Sequence, residues 1–201
     1  MILFSDAVFA IAITLLIIEI KFPETPENVL TANYWKVFRP TLIQFGAFAL
    51  SFFFVGTLWA KHLRLCRQMK HYDQGVILGN LIFLFFIVTF PFTAKGLAEH
   101  IKPNYLIPIF IYVVNIACCN LAHTWLCYYI FYRKPHLSIP GEQDEKKYIY
   151  LRSKYFSILL LAVICMATVV TMIFPNNVLY FALTLYAVPV LNFYIRKKLK
   201  K

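Results

Sequence analysis

Six runs of roughly 20 mostly apolar residues, the length a helix needs to cross a ~30 Å hydrocarbon core, take up nearly all of this 201-residue chain. They cover about residues 2–22, 40–65, 76–94, 105–132, 155–174 and 178–195. The chain reads as one all-α transmembrane domain, a polytopic membrane protein of six helices with no separate soluble domain. Composition agrees, with 61% hydrophobic residues, 14% charged residues and a mean hydropathy of +0.67. A soluble domain carries about a quarter charged residues.

The net charge of +11 does not point to nucleic acid, because lysine and arginine fall between the apolar runs and form no aromatic-rich patch. They cluster after run two (Lys61, Arg64, Arg67, Lys70), after run four (Arg133, Lys134, Lys146, Lys147, Arg152, Lys154) and after run six (Arg196 to Lys201). Cytoplasmic loops carry the excess of basic residues. Six spans with both termini in the cytoplasm put all three clusters there and leave Lys21, Lys36, Arg39, Lys95 and Lys102 on the other side. Pro23 ends the first run, Pro40 suits the first turn of the second helix, and Pro91 bends or ends the third. The segment Arg133–Lys147 is the one long polar connection, and PNN at 175–177 is a tight turn. A cleaved signal peptide is disfavoured for the first run, which lacks a basic start and carries Asp6 and Glu19.

The first run, FSDAVFAIAITLLIIEI, holds the most informative polar residues. Ile11, Thr14, Leu15 and Ile18 share one face of a helix, with Ala7 one turn earlier. Two readings of that face stand side by side. It is a packing stripe whose threonine bonds back to its own helix, or it lines a pore in which isoleucine and leucine form a dewetting constriction and threonine supplies oxygen to a cation. Ser5 and Asp6 suit a helix N-terminus. A helix beginning there would be about 25 Å long, so an earlier start is expected, with Asp6 inside the bundle and in need of a partner. Trp59 and His62 at the end of run two, and Asn80 near the start of run three, lie at the same depth and can form a network with it.

Asn115, Cys119, His123 and Cys127 recur every four residues along run four. The cysteines span about 12 Å of helix axis, too far for one tetrahedral ion. Contacts with neighbouring helices are the expectation, with no tightly bound metal and no cofactor. The chain has no G-x-S-x-G, no H-E-x-x-H, no pair of intramembrane acids and no TVGYG filter loop, so it reads as no enzyme. The residues alone leave a channel, a secondary transporter or proton-coupled carrier, and a structural membrane protein open.

The FSD opening followed by A-I-x-x-T, the tryptophan and histidine of WAKH, and NLIFLFF with TFPF in the third run resemble the transmembrane protein 175 family of potassium channels, in particular its single-repeat prokaryotic members. The resemblance implies a homotetramer in a bacterial cytoplasmic membrane, with a pore lined by the first helix and no re-entrant filter loop. The family's constriction would fall on Ile11, with Leu15 and Ile18 on the same face, its hydroxyl layer on Thr14, and the permeating potassium ion near Thr14 and Ile11. Ser5 and Asp6 would engage Trp59 and His62 to fix the packing of the pore helix. Two departures bear on gating: members usually carry a basic residue shortly before FSD, where this sequence reads MIL, and often a second histidine, where Leu63 stands. A truncated start or a missing partner in the polar network is the expectation from the first of these.

Overall fold

The computed structural model of the chain describes residues 1–23, 33–99 and 106–173, together with positions 191, 192, 195 and 197. Among these residues every regular element is helical: α1 (Ile2–Ile18), α2 (Tyr34–Arg67), α3 (Gln74–Val88), α4 (Phe90–Glu99), α5 (Ile107–Tyr128) and α6 (Gln143–Ile173). Tyr34–Arg67, Gln74–Glu99, Ile107–Arg133 and Gln143–Val170 are each long and apolar enough to cross a membrane, and α1 is a shorter apolar helix. The chain is thus a multi-pass membrane protein. The run at 178–195, the turn at 175–177 and most of the basic tail lie outside the described residues.

The helix ends differ from the sequence expectation where a distant side chain or a local cap captures a backbone group. The first run was expected to stay helical to residue 22, yet α1 stops at Ile18. The Lys21 amide donates to Gln44 Oε1 at 2.9 Å and its carbonyl accepts from Thr41 Oγ1 at 3.2 Å. These α2 side chains satisfy groups that another helical turn would have used. The second helix starts at Tyr34 rather than Pro40, because Asn33 caps it by accepting from the Lys36 amide. Pro40 therefore lies inside the helix, not in its first turn. The third run divides at Thr89, two residues before Pro91, into α3 and α4.

The polar segment before α6 is shorter than its composition suggests. Helix α6 begins at Gln143, with Asp144 and Glu145 in the first turn, where the helix dipole favours acids. The loop before it is tied to the α2–α3 link: the Ile139 amide donates to the Gln68 carbonyl at 2.9 Å, the Lys70 amide to the Leu137 carbonyl at 2.7 Å, and Gln68 Nε2 to Glu142 Oε2 at 2.7 Å. Gly141, at φ +93°, supplies the left-handed backbone that lets the loop turn into the helix. Asp73 caps α3 through the Val76 amide and accepts from the Tyr129 hydroxyl at 2.9 Å. The Val76 N–H, then the Tyr129 hydroxyl and the Lys134 ammonium, hold its carboxyl below the usual range.

One apolar core runs through the bundle. Phe9 of α1, Val55 and Leu58 of α2, Phe83 and Ile87 of α3, Phe90 of α4 and Leu126 of α5 are all at most 1% exposed. Polar links cross it where helices approach: Ser51 meets the Tyr112 hydroxyl at 2.9 Å, and Thr89 Oγ1 donates to Asn115 Oδ1 at 2.9 Å. Close approach of α3 and α5 depends on Gly79. A Cβ there would overlap the Trp125 ring and sit 2.9 Å from Leu126 Cδ2, whereas nothing lies within 4 Å of a Cβ at Gly56. Alanine normally stabilises a helix interior relative to glycine by about 0.5–1 kcal/mol, and overpacking costs about 1–3 kcal/mol. Thermal unfolding in detergent should therefore show Gly56→Ala unchanged or raised in melting temperature and Gly79→Ala lowered.

Candidate functional site

Helix α1 has two unlike faces. Ser5, Phe9, Ala12 and Leu16 recur at helical spacing and are each at most 2% exposed. Phe9 packs against Phe83 and His62, with ring centroids 5.8 and 6.0 Å away. The other face carries Ile11 (58% exposed), Thr14, Leu15 (43%) and Ile18 (72%), and no other described residue covers it. All four residues singled out in the sequence thus lie on this one uncovered face.

Thr14 Oγ1 donates to the Ile11 carbonyl at 2.9 Å. That bond occupies the hydroxyl proton and leaves the oxygen's lone pairs open to the exposed face. A threonine bonded to its own helix can therefore still offer an oxygen to a cation. The two roles weighed for it in the sequence are compatible.

Two separate polar links hold the start of α1, in place of one shared network. Asn80 Nδ2 donates to Ser5 Oγ at 3.0 Å, in a pair where both residues are buried. Asp6 Oδ1 accepts from Trp59 Nε1 at 2.8 Å. His62 makes no hydrogen bond to Asp6. It packs against the rings of Phe9 and Phe83, and its Nε2 is 3.4 Å from Cys66 Sγ while its Nδ1 has no partner. Equal depth brings His62 near α1, but its position around α2 turns the imidazole into the aromatic core. Asn80 bonds Ser5, not Asp6.

At the opposite end of α1, Glu19 pairs with Lys95 at 2.7 Å and Lys21 with Glu99 at 3.1 Å. Reading the sequence missed these pairs. Their only signal was two charges at the edge of an apolar run, with no indication that α4 would present complementary charges. The face of Ile11, Thr14, Leu15 and Ile18 is thus held at both ends by contacts made on the other side of the helix. Along α5, His123 Nδ1 is 3.1 Å from Ser153 Oγ, Asn115 bonds Thr89 and Thr93, and Cys119 and Cys127 are fully buried. That stripe therefore connects α5 to α4 and α6. Among the described residues, no three His, Cys, Asp or Glu side chains are grouped to hold a metal ion.

Ser5→Ala leaves the buried Asn80 amide without its acceptor, a cost of about 1–3 kcal/mol. In an Asn80→Ala background the same change should cost ~1 kcal/mol less, measured as unfolding free energy of the detergent-solubilised chain. Equal costs in the two backgrounds would remove the Ser5–Asn80 bond as an anchor.

Residues 1–91 match the family model for the endosomal/lysosomal potassium channel TMEM175. A potassium channel from Chryseobacterium sp. is 30% identical over 124 residues, 61% of this chain and 59% of that protein. One from Streptomyces collinus is 31% identical over 101 residues, 50% and 48% of the two chains, and one from Chamaesiphon minutus is 34% identical over 98 residues, 49% and 48%. The matched region spans only about half the length of these curated relatives. The crystal structure of a lysosomal potassium-selective channel TMEM175 homolog from Chamaesiphon minutus overlays with a TM-score of 0.76 at 23% identity, covering 100% of this chain and 96% of that one. This likeness establishes the shared fold. Fold and sequence match agree with the motifs: residues 1–91 match the TMEM175 family model, and the chain shares the fold of a bacterial TMEM175 homolog.

Proposed function

We propose that the chain is a potassium-preferring cation channel, a homotetramer whose pore is lined by four copies of α1, with six spans, both termini cytoplasmic and no re-entrant loop. It would reside in a bacterial cytoplasmic membrane, with the lipid bilayer, further copies of itself and permeating monovalent cations as its partners. It would need no cofactor. The observation that carries this reading is the division of α1 into an anchored face and an uncovered one, with a hydroxyl set among branched apolar side chains on the uncovered face. The names of the relatives, all potassium channels, support the choice of ion.

On this reading Ile11 forms a constriction narrow and apolar enough to lose its water, and so closes the pore when the helices are close. Thr14 sits about 4.5 Å further along the axis, where four hydroxyls replace part of the ion's hydration shell. Leu15 and Ile18 continue the lining. Ser5, Asp6, Trp59, His62 and Asn80 act on conduction only through the rotation and tilt of α1. A cation preference that rests on hydroxyl oxygens and fit, with no acidic ring at the constriction, favours the ion that is less costly to dehydrate.

Reconstituted in planar bilayers, the chain should show step-like unitary currents that reverse nearer the potassium than the sodium equilibrium potential. Ile11→Asn wets the constriction and should raise resting conductance. Thr14→Ala should lower the potassium-to-sodium permeability ratio about fivefold, equivalent to about 1 kcal/mol. Unaltered currents in both variants would take the pore off α1, and slow saturable flux without unitary steps would make the protein a carrier.

A further inference from the structure

At the end of the bundle where the lysines and arginines gather, α2, α5 and α6 enclose a cavity of about 230 Å³ lined by Lys61, Arg64, His123, Tyr148, Arg152 and Ser153. Three basic side chains share it without an acidic partner. The ion pairs among the described residues are Lys21–Glu99, Lys95–Glu19 and Lys134–Asp73, and none involves Lys61, Arg64 or Arg152. The acids at this end are otherwise engaged: Asp6 accepts from Trp59, Glu142 from Gln68, and Asp73 from Tyr129. Asp144 and Glu145 are exposed in the first turn of α6, about two turns before Arg152.

Neutral groups alone hold Lys61. Its ammonium donates to Asn120 Oδ1 at 3.3 Å and lies 4.5 Å over the Phe156 ring. Between helices of low polarity, a half-buried ammonium is repelled by the Arg152 guanidinium, and dipoles and a ring face do not neutralise it. His123, on the cavity wall, is itself buried. Its Nδ1 is directed to Ser153, while Nε2 has no hydrogen-bond partner.

We propose that this cavity is an anion site for a phosphate group, in which Arg64 and Arg152 grip its oxygens and Lys61 neutralises its charge. Guanidinium forks match phosphate oxygens in pairs, and the Tyr148 hydroxyl, on the cavity wall, adds a donor. The phosphate can belong to a lipid headgroup, since basic pockets between spans suit such groups, or to a soluble phosphate entering from the basic face. The cavity lies on α2, α5 and α6, away from the uncovered face of α1. The proposal stands whether or not the chain conducts potassium.

The test uses the full chain in phosphatidylcholine nanodiscs, with unfolding followed by tryptophan fluorescence. One arm titrates inorganic phosphate against chloride at constant ionic strength, and the other replaces phosphatidylcholine stepwise with phosphatidylglycerol. A saturable rise in melting temperature is expected in at least one arm. Saturation by inorganic phosphate assigns a soluble ligand, and saturation by phosphatidylglycerol alone assigns the headgroup. Lys61→Gln and Arg152→Gln should weaken the effect about tenfold or more. Arg64→Gln, at an exposed position whose loss leaves the core intact, should do the same. No saturable rise in either arm, an equal rise with chloride, or an undiminished rise in Arg64→Gln would overturn the site.

Discussion

The buried stripe Ser5–Phe9–Ala12–Leu16 is the constraint on which the rest depends. It sets the rotation of α1 about its own axis, and a rotation of 100°, one residue of helix, would replace the face of Ile11 and Thr14 by another. Phe9 packs its ring against Phe83 and His62. The Ser5–Asn80 bond adds direction, because a hydrogen bond buried in an apolar bundle has no competing water and fails if the helix turns. Apolar packing alone would tolerate slippage. The Trp59–Asp6 bond and the Glu19–Lys95 and Lys21–Glu99 pairs then fix depth and tilt at the two ends.

Much of this was legible in the sequence, and the failures have specific causes. Hydropathy located the apolar runs, and the polar residues Ser5 and Thr14 marked opposite sides of α1. The remaining positions of that helix are almost uniformly apolar, so periodicity could not distinguish the face packed inward from the one left open. Depth along the membrane correctly brought Asp6 to Trp59 but grouped His62 with them, because depth carries no information about angle around a helix. The start of α2 was missed because Asn33 caps it locally, and two other helix ends because a partner distant in sequence decided them. Gln44 and Thr41 end α1 by capturing the backbone of Lys21, and the link between Gln68 and Glu142 helps place the start of α6.

The two ends of the bundle treat charge in different ways. Around Glu19, Lys21, Lys95 and Glu99, each charge has an opposite partner, which suits a rigid rim at the end of the helix carrying Ile18. At the other end, the basic residues outnumber their acidic partners, and Lys61, Arg64 and Arg152 converge on one cavity with hydroxyls and an imidazole around it. A bundle whose cations were there only to orient it in the membrane would leave them in water beyond the helix ends. Lys61 and Arg152 instead lie partly buried between helices, where the proposed phosphate would neutralise them, in a part of the fold separate from α1.

The central claim is that the face of Ile11, Thr14, Leu15 and Ile18 meets water and ions rather than lipid. The most direct test is the reaction of Thr14→Cys with a charged, water-soluble methanethiosulfonate in sealed vesicles, in a chain whose native cysteines at positions 66, 118, 119, 127 and 165 have been replaced. Phe53→Cys, at a position 72% exposed on α2, serves as the lipid-facing comparison. The account predicts that Thr14→Cys is modified and Phe53→Cys is spared. Equal protection of both positions would contradict it and make α1 an ordinary lipid-facing span.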